Sequence, residues 1–142
     1  MISDLKLQIR AGEVVGIVGR SGSGKSTLTK LVQRLYTPEQ GRVLIDGIDI
    51  SLVDAAQLRR QIGVVLQESF LFNRRVRDNI AIADPAAPIE AVIEAATLAG
   101  AHEFISREEN GYPAVLQQRG QDLSVGQRQL ISFARAILAA PK

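Results

Sequence analysis

Residues 19–27 read Gly-Arg-Ser-Gly-Ser-Gly-Lys-Ser-Thr, which fits the pattern Gly-x-x-x-x-Gly-Lys-Ser/Thr of a phosphate-binding loop and decides the fold. A phosphate chain carries several negative charges, and a loop that must order itself around them loses conformational entropy at each binding event. Gly22 and Gly24 permit positive φ angles and a close approach of the backbone. We therefore expect the amides from about Arg20 to Ser26 to point inward as an anion-binding nest.

The side chains of this loop and the helix after it supply the other groups that a nucleotide needs. Lys25 adds a positive charge, the Ser26 hydroxyl is a ligand for Mg²⁺, and Thr27 is placed to donate to the α-phosphate. The N-terminus of the helix adds free N–H groups and a positive dipole end. The predicted nucleotide site consists of Gly19, Arg20, Ser21, Gly22, Ser23, Gly24, Lys25, Ser26 and Thr27.

The sequence on both sides of the loop has the expected pattern. Residues 13–19, Glu-Val-Val-Gly-Ile-Val-Gly, are typical of a strand buried on both faces. After the loop, apolar residues recur at helical spacing at Leu28, Leu31, Val32 and Leu35. A Gly/Ser turn with an incidental lysine, which is the alternative interpretation, explains neither flank.

Composition limits the class of protein. The 142 residues, 46% of them hydrophobic, suffice for one domain with a core. The chain has no cysteine, which excludes disulfides and Cys-based zinc sites, and the single histidine, His102, is more typical of a structural residue than of a metal ligand. The net charge is only +2 and its basic residues are dispersed, so nucleic acid is not an expected partner. No apolar run approaches the length of about 20 residues that spans a bilayer.

The remaining segments alternate between strand and helix patterns. Strands are predicted at 2–9, in a hairpin around Asp46-Gly47, and at 62–66. A short helix is predicted from Ser51 to Gln61. Helical character then runs from 70 to about 109, with a stripe of Ile89, Val92, Ile93 and Ala96, and returns from about 126 to 139, striped by Leu130, Phe133, Ala134, Ile137 and Leu138.

This order predicts an α/β fold of the P-loop NTPase type, a parallel-sheet lobe with N-terminal antiparallel strands and an inserted helical subdomain. The predicted divisions are about 1–69 for the nucleotide-binding lobe and about 70–125 for the helical subdomain. A helix returns into the lobe over about 126–142, and we expect the C-terminal part of the lobe to be missing from this chain.

Two further motifs follow the loop in a specific order. Gln67 ends the apolar run 62–66, and residues 123–127 read Leu-Ser-Val-Gly-Gln at the start of a helix. With these motifs the chain resembles the ATP-binding domain of an ABC transporter. The stretches 64–72 and 77–80 resemble the exporter branch. Residues 19–40 and 98–105 are most similar to toxin and peptide secretion exporters.

The resemblance implies an ATPase that couples ATP and Mg²⁺ to transport, with peptides or proteins as the expected cargo. It implies a head-to-tail dimer in which Ser124, Gly126 and Gln127 contact, in trans, the ATP held by the partner domain. Gln67 is then expected to ligate Mg²⁺ or position water, and to report nucleotide state to a transmembrane domain. The expected location is the cytoplasmic face of the membrane.

The sequence also departs from the family pattern. Residues 123–127 correspond to the signature motif of the family, and Val125 stands where that signature usually has Gly. Gln118 stands where exporters normally carry Glu. We expect Val125 to be accommodated facing away from the contact. In the family, an Asp-ended strand, a catalytic Glu and a switch His follow the Pro-Lys at 141–142, and an adenine-stacking aromatic precedes the first strand. We therefore expect a fragment that binds nucleotide weakly, does not hydrolyse it alone, and exposes apolar edges.

Other functions remain open at this stage. A lipid or multidrug exporter fits the same residues. A soluble ABC-type ATPase acting on DNA or ribosomes would require long coiled-coil or basic insertions, and residues 70–125 are short and mixed in charge. A non-catalytic module is the third alternative, with Val125 and Gln118 as marks of a decayed site. The cargo and the identity of the partner domain are not encoded in these motifs.

Overall fold

The computed structural model describes residues 2–67, 69–117 and 120–139. The chain divides into two compact units, which we call the first unit (Met1–Arg59) and the second unit (Arg60–Lys142). None of the helices within the described ranges is both long enough and apolar enough to cross a membrane. In chain order the elements are α1 (Lys25–Val32), β1 (Leu44–Ile45), β2 (Ile48–Asp49), a 3-10 helix (Ile50–Leu52), α2 (Ala55–Arg60), α3 (Val76–Ile80), α4 (Ile89–Leu98), α5 (His102–Arg107) and α6 (Val125–Leu138).

The hairpin predicted around Asp46-Gly47 is confirmed in the first unit. Strands β1 and β2 pair antiparallel, with Ile45 opposite Ile48. Asp46 and Gly47 both have positive φ angles, of 50° and 78°. That combination defines the tight turn whose twist matches paired strands, and it explains why Asp-Gly occupies the corner.

The strands predicted at 2–9, 13–19 and 62–66 have no strand ladder within the described residues, so these local assignments are wrong for this structure. Val14 and Val18 are 97% and 96% exposed, which is the opposite of the burial expected for a central strand. The physical reason is that a strand is stabilised by backbone hydrogen bonds and side-chain packing from its neighbours, and β-branched composition alone provides neither.

The short helix predicted from Ser51 to Gln61 is divided in two. The 3-10 turn Ile50–Leu52 ends before Asp54, and α2 begins after it. Asp54 Oδ1 accepts the backbone N–H groups of Ala56 and Gln57 at 3.0 and 2.9 Å. This carboxylate satisfies two of the free donors at a helix start, so it fixes the beginning of α2 at Ala55.

The second unit has a continuous apolar core, in which α6 packs against α3 and α4. In α4 the predicted stripe is partly confirmed, since Val92 and Ala96 are buried. In α6 the buried apolar residues are Ile131 and Ala134. The predicted stripe members Phe133 and Ile137 are 39% and 38% exposed, so their assignment to the core was wrong. The other predicted members are confirmed, since Ala134 is buried and Leu130 and Leu138 are partly buried against the core. Each residue turns a helix by about 100°, so Phe133, one position before Ala134, points away from the core.

Candidate nucleotide-binding site

The Lys25 ammonium lies inside the curve of its own loop. Its Nζ donates to the carbonyl oxygens of Gly19 and Arg20 at 2.6 and 2.8 Å, and to Ser23 Oγ at 3.4 Å. A backbone hydrogen bond from Ser23 N to Arg20 O, at 3.2 Å, closes the turn between them. The structure therefore brings together Gly19, Arg20, Ser23 and Lys25, with the positive charge at the centre of the loop.

The predicted backbone conformations of the glycines are confirmed. Gly22 has a φ of 81° and Gly24 a φ of 93°, a region that side-chain-bearing residues rarely adopt. A Cβ on Gly24 would approach Ile2 Cγ1 to 2.7 Å, and a Cβ on Gly19 would approach Ser23 Oγ to 2.7 Å. A Cβ on Gly22 would meet no atom within 4 Å, so this side of the loop is open to a ligand.

The start of α1 is suited to an anion. Gly24 is its N-cap residue and offers no side-chain cap, and the first turn contains no acidic residue. The first amides of the helix therefore retain their hydrogen-bonding capacity and the positive end of the helix dipole. Ser26 and Thr27, in this first turn, are exposed, and so are Arg20 and Ser21. These four side chains are accessible to a ligand.

The chemistry of the donors fits a triphosphate with Mg²⁺ better than a metal alone. The loop offers an ammonium, backbone amides and hydroxyls, which are ligands for phosphate oxygens. Among the described residues no three His, Cys, Asp or Glu side chains converge on a possible ion site. A Mg²⁺ ion would therefore depend on phosphate oxygens together with the Ser26 hydroxyl.

The start of α6 is fixed by a reciprocal pair of hydrogen bonds. Ser124 Oγ accepts the N–H of Gln127 at 3.1 Å, while Gln127 Oε1 accepts the N–H of Ser124 at 2.8 Å. The predicted N-cap position of Ser124 is thereby confirmed. Val125 is the first helical residue and is 69% exposed, so its branched side chain does not disturb the cap. Gly126 is exposed beside it.

Arg128 holds the backbone just before this cap. Its Nη1 donates to the carbonyl oxygens of Leu123 and Gly120 at 2.6 and 3.2 Å. The backbone around the signature, residues 123–127, is thus held by Arg128 of the same helix as well as by the Ser124 cap. Gln118, singled out in the sequence, lies outside the described residues, as do Pro141 and Lys142.

Gln67 is an exposed residue of the second unit, whereas the phosphate loop belongs to the first unit. Ser69 follows two residues later, and its Oγ is buried without a hydrogen-bond partner. Ser124, Gly126 and Gln127 also belong to the second unit. Gln67 and the signature therefore belong to one unit, and the phosphate loop belongs to the other.

Two polar residues that belong to none of the three sequence motifs, Asn79 and Arg135, organise the segment after Gln67. Asn79 is fully buried, and its side chain hydrogen-bonds to the backbone of Phe72, Arg74 and Arg75. Arg135, on α6, donates to the backbone of Phe70 and of Asn79. Arg135 is the one charged residue among residues 130–138, which are mostly apolar, and this isolated charge is the signal that could have identified Arg135 from sequence.

Shifted pKa values occur at residues outside the loop. Asp49 caps the 3-10 helix, and the N–H of Ser51 that its carboxylate accepts lowers its pKa. Burial raises the pKa of Tyr112, whose hydroxyl lies 2.8 Å from His102 Nδ1. His102 therefore has a structural partner, in agreement with the interpretation of this lone histidine as a structural residue.

Comparison with known proteins places these features in context. Residues 2–142 match the family described as ABC transporter. The chain is 59% identical over 142 residues to the toxin RTX-I translocation ATP-binding protein of Actinobacillus pleuropneumoniae and to the leukotoxin translocation ATP-binding protein LktB of Mannheimia haemolytica. Each match covers 100% of this chain and 20% of the relative, so the chain spans about a fifth of their length.

A solved structure is also similar. It is described as a bacterial Atm1-family ABC exporter with ATP bound, and it matches with a TM-score of 0.81 and 41% identity. The match covers 86% of this chain and 22% of that one. The predicted α/β fold class is therefore confirmed at the level of the chain path, although within the described ranges the strands predicted at 2–9, 13–19 and 62–66 form no ladder.

Proposed function

The chain belongs to the ABC transporter family, and from this premise we propose that it is the ATP-binding part of a longer exporter. The observation that carries the proposal is the Lys25 ammonium at the centre of a loop with two left-handed glycines and an uncapped helix start. Such a loop presents one mobile charge and several fixed amides to a phosphate chain.

In this proposal the side chains of the loop have distinct tasks. Lys25 exchanges the carbonyl oxygens of Gly19 and Arg20 for phosphate oxygens, because an ionic partner binds an ammonium more strongly than a neutral carbonyl does. The open side of Gly22 admits the phosphates to the backbone amides. Thr27 donates to the α-phosphate and Ser26 contributes its hydroxyl to Mg²⁺, which neutralises charge on the phosphates when bound.

The signature supplies the second half of the proposed site from a partner domain. Ser124, Gly126 and Gln127 lie at the exposed N-terminus of α6, where free amides and a serine hydroxyl suit the γ-phosphate of an ATP held by a head-to-tail neighbour. Gln67 positions water or Mg²⁺ and links the site to a transmembrane domain. The complete protein hydrolyses the ATP that this chain binds.

Transport of a peptide or protein is the proposed task of the complete exporter, at the cytoplasmic face of a membrane. The support for this cargo class comes from the two relatives at 59% identity, which are named for translocation of a toxin and a leukotoxin. The proposed cargo class rests on these two relatives.

A binding titration with a matched lysine control tests the proposal. We expect Lys25→Ala to weaken the binding of Mg²⁺-ATP to this chain about ten- to a hundredfold, because it removes a charged hydrogen bond worth about 1.5–3 kcal/mol. Lys30→Ala is the control, since Lys30 lies in the last turn of the same helix and its Nζ lies 5.4 Å from the centroid of the Tyr36 ring. Isothermal titration calorimetry measures both. Equal affinities of the two variants would refute the loop as the nucleotide site.

A further inference from the structure

Arg135 reaches from α6 to two backbone carbonyls outside its own helix. Its Nε donates to the carbonyl oxygen of Asn79 at 2.9 Å, and its Nη1 donates to that of Phe70 at 3.2 Å. Asn79 lies in α3, 56 residues away in sequence, and Phe70 lies three residues after Gln67. One guanidinium therefore joins α6, α3 and the residues that follow Gln67.

Asn79 extends this connection to the rest of residues 69–75, which we call the post-Gln67 segment. Its Oδ1 accepts the N–H of Phe72 at 2.8 Å, and its Nδ2 donates to the carbonyl oxygens of Phe72, Arg74 and Arg75 at 3.0, 3.3 and 3.2 Å. The segment forms no helix or strand of its own. Its backbone is held by the side chains of Asn79 and Arg135, and towards its C-terminal end also by backbone pairing, since Leu116 N donates to the Arg74 carbonyl at 3.0 Å and Arg75 forms a bridge with Val115.

The arrangement is costly, which argues against a purely stabilising role for Arg135. Its Nη2 is buried without a hydrogen-bond partner, and so is the Oγ of Ser69 in the segment it holds. Desolvation also lowers the pKa of Arg135. Arg135 is partly buried, and a partly desolvated charge with one unsatisfied donor contributes little to stability, so position rather than stability is what it supplies.

We propose that Arg135 is a positioning residue that ties the post-Gln67 segment to α6, so that movement of the signature end of this helix is transmitted to Gln67. The proposal rests on the function proposed above. Helix α6 runs unbroken from Val125 to Leu138, and Arg135 lies 11 residues beyond the Ser124 cap, about 16 Å along the axis. A rigid helix carries a displacement at the Ser124 end to the two carbonyls that Arg135 holds.

The test uses the complete exporter that carries this sequence and compares Arg135→Met with Arg77→Met. Arg77 is a matched control because it too is partly buried and donates to a backbone carbonyl, that of Ala87 at 2.8 Å, outside the post-Gln67 segment. Hydrogen exchange at the Phe72 amide and the kcat and KM for ATP are measured for both variants. Arg135→Lys is included as the conservative variant, and it serves as the test should Arg135→Met not fold.

We expect Arg135→Met to speed exchange at Phe72 about five- to tenfold and to lower kcat about ten- to a hundredfold, with KM changed less than about twofold. Arg135→Lys should lie between this variant and the parent, and Arg77→Met should change neither the exchange nor kcat. Unchanged exchange at Phe72 in Arg135→Met, or an equal effect of Arg77→Met, would overturn the proposal. Because exchange is measured without nucleotide, this failure is distinct from a failure of ATP binding at Lys25.

Discussion

At the scale of single residues, the most informative feature is the bonding of Lys25. An ammonium satisfied by two carbonyl oxygens of its own loop is held at the centre of the turn, and no acidic side chain in the described part of the chain pairs with it. Its charge therefore remains available to an anion, whereas a salt bridge would neutralise it. The loop is thus organised before a ligand arrives, which lowers the entropic cost of binding.

The backbone of the same loop gives a prediction about stability. Gly22→Ala should lower the free energy of unfolding by about 1–2 kcal/mol, because the new side chain is forced into the left-handed region at a φ of 81°. Gly16→Ala is the control, since a Cβ meets no atom within 4 Å at either position and the φ of Gly16 is not positive. Urea titration measures both variants, and equal destabilisation would contradict this explanation.

Asp49 gives a prediction about pH. Its pKa is lowered in the folded chain from 3.8, so its contribution to stability is present above pH 3.8 and is lost as the pH falls through the lower folded value. Asp49→Asn keeps an oxygen acceptor for the Ser51 N–H but does not titrate. Its unfolding free energy should therefore fall less steeply below pH 3.8 than that of the parent. Superimposable pH profiles from chemical denaturation would show that this carboxylate is not involved.

The residues predicted from sequence were those whose chemistry is local. Gly22, Gly24, the Asp46-Gly47 turn and the Ser124 cap each depend on a few neighbouring residues, and each was predicted correctly. Arg135 was missed because its partners, Phe70 and Asn79, lie 65 and 56 residues away. No local pattern specifies such contacts.

At the scale of elements, α6 shows how far periodicity predicts burial. Its bounds were predicted to within one residue, as Val125–Leu138 against about 126–139. Its buried face was predicted less well, because Ile131 is fully buried while Phe133 is 39% exposed. Several apolar stripes fit this sequence, and the choice between them is made by packing against α3 and α4.

This difference in burial can be measured with two isoleucines of the same helix. Ile131→Ala should lower the free energy of unfolding by about 2–5 kcal/mol, because it leaves a cavity in the core of the second unit. Ile137→Ala should have a smaller effect, since its side chain is already 38% exposed. Thermal and urea unfolding compare the two, and a larger effect at Ile137 would mean that α6 is rotated relative to the structure described.

At the scale of the whole molecule, the two units differ in how completely they are packed. The continuous core of buried residues lies entirely within the second unit. In the first unit Val14 and Val18 are almost fully exposed, and among its described residues, 2–59, only Ile50 and Leu58 are buried apolar residues. Sheet pairing is non-local, so the apolar runs indicated strands without specifying which neighbours would pair with them.

The central claim is that the phosphates of ATP bind in the loop 19–27, and the most direct measurement is a crystal structure of the chain with Mg²⁺ and a non-hydrolysable ATP analogue. We predict that Lys25 Nζ leaves the carbonyl oxygens of Gly19 and Arg20 and lies about 3 Å from a β- or γ-phosphate oxygen. Nucleotide bound away from this loop, with Lys25 still donating to the same two carbonyls, would contradict the account.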